Sequence, residues 1–97
     1  MNIDELMDEL TEVKRLLQEG DTGEAIRQLD ALIAAAPEAS DELYYLRGNA
    51  YRKQSNWQMA LGNYLQAIDI NPQSPARAAR DMLMDILEFY NKDMYNQ

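Results

Sequence analysis

Neither cysteine nor histidine occurs among the 97 residues. The first absence removes disulfides, thiol nucleophiles and zinc–thiolate sites. The second removes the commonest general base and metal ligand. Long apolar runs are missing too: the longest spans Ala31 to Ala36, far short of the roughly 20 residues that cross a bilayer. The opening, MNIDELMDEL, is acidic and has no basic stretch followed by an apolar one, so it does not read as a secretory signal. Period-two alternation and Asn-Gly hairpin signals are also lacking. There is no glycine-rich phosphate loop, and each Asp/Glu cluster falls on an expected solvent face. These absences predict a soluble, cytoplasmic protein with no cofactor, no metal and no catalytic activity.

What is present is acid and helix. The net charge is −8 and is unevenly spread. Residues 1–40 carry ten acids against Lys14, Arg15 and Arg27, whereas residues 41–74 are balanced. Such a chain repels a phosphate backbone, so no nucleic-acid partner is expected.

Apolar residues recur at helical spacing in five stretches. The first runs from Ile3 to Glu19 with Leu6, Met7, Leu10, Val13, Leu16 and Leu17 on one stripe, and Gly20 ends it. Asp21 or Thr22 can cap the second, whose stripe is Ala25, Ile26, Leu29, Leu32 and Ile33 and whose end is Pro37. Ser40 suits the N-cap of a third helix reaching about Lys53. Asn56 suits that of a fourth, Trp57 to Ile70, and Pro72 closes it. Ser74 and Pro75 open a fifth. The turns are short, so the fold class is all-α, five helices in an antiparallel helix-pair array.

The array repeats. A 35-residue shift aligns Leu16 with Tyr51, Gly20 with Ser55, Asp21 with Asn56, Ala25 with Ala60, Leu29 with Tyr64 and Pro37 with Pro72. A two-helix period of this length is a solenoid signature. The second unit, with Tyr44, Gly48, Tyr51, Ala60, Tyr64, Ala67 and Pro72, resembles the tetratricopeptide repeat family. The first keeps Leu16, Gly20, Ala25, Leu32 and Pro37, but has Glu9 where the family's aromatic stands and Val13 where its glycine stands. The division expected is one domain over 1–97: repeats at about 6–39 and 41–74, and a terminal helix at about 75–94. Gly48 and Ala60 lack bulk where two helices cross, so their backbones can approach. With Val13 opposite Ala25, the first crossing should be wider.

The resemblance implies a non-catalytic module that binds a peptide or protein segment in a concave groove. Carried over by position, the lining residues would be Leu10, Lys14, Leu17 and Gln18 from the first helix and Tyr45, Asn49, Arg52 and Lys53 from the third. On a helical wheel the third helix also leaves that second set without a buried neighbour. Lys14, Arg52 and Lys53 favour an acidic ligand, and Asn49 can hold an extended backbone. The family's clamp for acidic chaperone tails is incomplete, since Leu10 and Leu46 stand where a lysine and an asparagine belong.

The fifth helix carries more apolar surface than a cap requires. Its apolar residues sweep about 180°, where about 100° suffices to pack on one neighbour. The surplus, assigned to Leu83, Leu87 and Met94, must line the groove, meet a partner or join a second copy. Homo-oligomerisation through this helix is therefore the alternative function.

Overall fold

A computed structural model describes residues 2–36 and 40–95, with side chains described as far as Phe89. Five helices follow in order: α1 (Ile3–Gln18), α2 (Thr22–Ala35), α3 (Asp41–Lys53), α4 (Trp57–Ile70) and α5 (Ala76–Tyr95). Among the described residues there is no strand.

Local chemistry sets most of the helix ends. Asn2 caps α1, its side chain accepting from the Glu5 N–H at 2.8 Å. Asp4 and Glu5 follow in the first turn, where the helix dipole favours acids. At the other end Gly20 adopts φ +80°, the Gly20 N–H donates to the Leu17 carbonyl and the Asp21 N–H to that of Leu16. That pair of bonds satisfies two orphan carbonyls of the last turn. The same pair ends α3, from Ser55 to Arg52 and from Asn56 to Tyr51, with Ser55 at φ 59°. Asn56 then caps α4 through the Met59 N–H, and buried Ser74 caps α5 through the Ala76 N–H. Asp21 and Ser40 occupy the cap positions expected of them but accept no backbone bond through their side chains. Pro37, expected to end α2, lies outside the described residues.

Each helix packs on its neighbours in sequence, giving an array of 53 × 28 × 18 Å. Two apolar clusters run through it. The first joins Leu10, Val13, Leu16 and Leu17 of α1 to Ala25, Leu29 and Leu32 of α2 and to Leu43, Leu46 and Ala50 of α3. The second joins Ala60, Tyr64 and Ala67 of α4 to Ala76 and Leu83 of α5. A fully buried leucine such as Leu29 or Leu83 contributes about 1.5–3 kcal/mol.

The crossing of α3 and α4 explains Gly48. A Cβ there would sit 2.6 Å from the Tyr64 ring carbons and 3.3 Å from the Ala60 carbonyl oxygen. The glycine is therefore required mainly by the tyrosine ring, and only secondarily by the backbone approach. Close approach of α3 and α4 is far more extensive than that of α1 and α2, as the Val13 substitution leads one to expect. Arg47 ties the two pairs together, its guanidinium donating to Asn63 Oδ1 at 2.7 Å and to Asp30 Oδ1 at 2.8 Å while covering Tyr44.

Leu83 corrects a sequence-based expectation. It is wholly buried among α4 side chains and offers no surface to a partner. Helical periodicity revealed that α5 had too wide an apolar arc but not which part of the arc met α4.

Candidate functional site

The site builds outward from Tyr64. Its ring is pinned in the slot left by Gly48 and is fully buried. Only its hydroxyl reaches the far side of α3, where it donates to Asn49 Oδ1 at 2.6 Å and accepts from Arg52 Nε at 3.3 Å. Tyr45 lies beside it, with ring centroids 6.2 Å apart and planes tilted by 38°. Three of the four α3 positions expected in the groove are thus held by one buried phenol from α4. Burial raises the Tyr64 pKa and the Arg52 hydrogen bond opposes that shift, so the hydroxyl stays protonated and remains a donor. Tyr45 and Asn49 are half-buried, whereas Arg52 and Lys53 are exposed.

The α1 residues behave differently. Leu10 and Leu17 are 9% and 6% exposed and belong to the first core cluster. They pack α1 onto its neighbours and offer a ligand almost no surface, which corrects their assignment to the groove. Lys14 is exposed, but its ammonium holds Glu42 of α3 at 2.8 Å, so its charge is already matched. Gln18 is exposed. On α5, Leu87 is half-buried and borders a cleft of about 680 Å³ with Trp57 and Leu61. The Met94 side chain lies outside the described set.

Sequence reasoning placed Tyr64 with the scaffold and missed that it organises the site. The available signal was its alignment with Leu29, which differs by a ring long enough to carry a hydroxyl past Gly48. It also missed Met82, Met84, Ile86 and Phe89, the large apolar side chains of α5 that are exposed.

Ion pairing separates the cations sharply. Lys14, Arg15, Arg27 and Arg47 hold carboxylates of Glu42, of Glu12 and Glu19, of Glu24, and of Asp30 respectively. Among the described residues neither Arg52 nor Lys53 pairs with an acid. No group of three or more Asp or Glu there could hold a metal ion, and no described helix is long and apolar enough to cross a membrane.

Comparison with known proteins agrees with this geometry. The tetratricopeptide repeat family model matches residues 42–74, which are α3, α4 and the turn that follows. A search of curated proteins returns no significant match. The solution NMR structure of Bacteroides fragilis protein BF1650 is similar along most of its length. It is 55% identical, the match covers 91% of this chain and 89% of that one, and the TM-score is 0.80. A helix-pair array with a small-residue crossing at Gly48 and Ala60, matched by the family model and by a close structural relative, means that this chain belongs to the tetratricopeptide repeat family.

Proposed function

We propose that the protein is a non-catalytic interaction module, and that the exposed face of α3 takes an acidic segment of a partner protein. Membership of a family of protein–protein interaction modules supports the general role. The observation that carries the specific one is the unmatched charge at Arg52 and Lys53. In a chain of net charge −8, where Glu12, Glu19, Glu24 and Glu42 hold the cations near them, two adjacent exposed cations without an acid form a local positive patch that a carboxylate can meet. Tyr45 supplies an aromatic contact beside them, and Asn49, oriented by Tyr64, can bond an extended backbone.

The test is affinity capture from native cell extract with the wild-type chain and with Arg52→Glu/Lys53→Glu. Both positions are exposed, so the variant should fold normally. Reversal should abolish recovery of the captured partner, and added salt should weaken the wild-type interaction. Recovery unchanged by the double reversal would remove the α3 face from consideration.

The second reading is self-assembly through α5. It no longer draws on Leu83 and rests instead on the exposure of Met82 and Ile86. Sedimentation over a range of concentrations decides it, since a monomer throughout leaves it without support.

A further inference from the structure

Helix α5 departs from the register of the repeat, and the departure decides what each of its faces can do. In α3, Leu43, Leu46 and Ala50 form the ridge buried against the preceding pair. In α5, Ala76, Ala79 and Leu83 have the same spacing and pack against Ala60, Tyr64 and Ala67 of α4. Superposing these ridges sets α5 33 residues after α3, not the 35 that relates the two helix pairs. The α3 face that receives α4, built from Tyr44, Gly48 and Tyr51, then corresponds to Arg77, Asp81 and Met84. Two charges, one of them in place of the essential glycine, make that face unfit for a sixth helix packed as α4 is.

The same superposition carries the groove face across. Tyr45 falls on Ala78, Asn49 on Met82, Arg52 on Asp85 and Lys53 on Ile86. Met82 is 68% exposed and Ile86 36%. An independent observation sets the Tyr45 end of the α3 face beside the start of α5. Tyr45 packs against the cluster that contains Ala76 and Leu83, and it lines a crevice with Glu42 and Pro75 at the start of α5.

We infer that α5 ends the array and supplies an apolar wall to the groove, whose ligand is an acidic amphipathic segment of another protein. The apolar residues of that segment would cover Met82 and Ile86, and its carboxylates would meet Arg52 and Lys53. This rests on the reading that the α3 face binds a partner and specifies what that partner must be. A purely acidic tail would leave the methionine and isoleucine wet, and a purely apolar one would leave two cations unmatched. The i, i+4 spacing of Met82 and Ile86 suits a helical ligand with apolar residues at the same interval. Asp85, at the position equivalent to Arg52, opposes such a ligand.

The experiment is fluorescence anisotropy of the full chain with labelled helical peptides bearing Leu on one face and Glu on the other. Controls exchange Glu for Lys, or Leu for Ser. The Leu/Glu peptide should bind and both controls should fail. Met82→Ser/Ile86→Ser and Arg52→Glu/Lys53→Glu should each weaken binding by about tenfold or more, while Asp85→Lys should strengthen it. Thermal melts of these surface variants check that the fold is kept. Binding lost on charge reversal but untouched by Met82→Ser/Ile86→Ser would overturn the apolar wall and leave the α3 face standing. Insensitivity to both double variants, or no binding by the Leu/Glu peptide, would overturn the inference. So would a concentration-dependent dimer that Met82→Ser/Ile86→Ser dissolves, because the face would then belong to a second copy.

Discussion

Val13 and Leu29 stand in the first helix pair where Gly48 and Tyr64 stand in the second. All four are buried. The first pair divides the volume between two medium side chains. The second leaves one helix bare and gives the whole space to a ring from the other. Only the second arrangement supplies a hydroxyl, which bonds Asn49 and Arg52. The equivalents of those residues in the first pair are Lys14 and Leu17, one paired with Glu42 and the other buried. A volume exchange made for packing thus concentrates these polar side-chain contacts in one repeat.

A second contrast follows the same pairing. Arg47 and Asn63 bond to each other, while their counterparts Glu12 and Gln28 do not. Glu12 turns to Arg15 instead, and Gln28 Oε1 is buried without a hydrogen-bond partner. Repeats with one fold therefore differ in how completely their polar groups are satisfied, because one charge sign changed between them.

The comparison breaks most visibly at Gly48. Gly48→Val should destabilise the protein by about 3 kcal/mol in urea titrations, since the ring at 2.6 Å has no room to yield. Gly48→Val combined with Tyr64→Leu recreates the first pair's solution. The double variant should be more stable than the sum of the single losses, with a coupling energy of about 1–3 kcal/mol. Strict additivity would show that the two crossings are not exchangeable.

The shared turn offers a smaller test. Gly20 and Ser55 adopt the same left-handed conformation, which costs a serine more than a glycine. Ser55→Gly should raise the midpoint of thermal unfolding, with a gain of about 0.5–1 kcal/mol, and Gly20→Ser should lower it by a similar amount.

The smallest effect concerns acid. Hydrogen bonds from Arg27 and then Gln28 hold the Glu24 pKa down to about 2, below the usual 4.5. Its folded-state pKa is depressed, so its contribution is complete above 4.5 and is lost as pH falls toward 2. Carboxylate chemical shifts should show this low midpoint, and Arg27→Met should return it toward the ordinary value. The aligned residue in the second pair is Met59, so the acid response should be confined to the first.

Much of the architecture was legible because it depends on local chemistry. Apolar spacing placed all five helices within a residue or two, and Gly20, Asn56 and Ser74 marked their ends through turn and cap bonds that neighbouring residues make. The site was legible only in part. Tyr45, Asn49 and Arg52 do converge, but for a reason on another helix. Leu10 and Leu17 were misplaced because family position gives a direction around a helix, whereas burial depends on how far α1 rolls toward α2 and α3.

The sequence by itself determined the class of fold, its helix ends, the 35-residue kinship of its two pairs and the uneven charge. Each is a property of residues close along the chain or of a sum over them. Tertiary structure alone decided that the Tyr64 hydroxyl holds Asn49 and Arg52, that Lys14 is spent on Glu42, and that Leu83 is core while Met82 and Ile86 are surface. Those outcomes turn on the rotation of one helix against another. A shift of one residue, about 100° around the axis, exchanges a buried face for an exposed one.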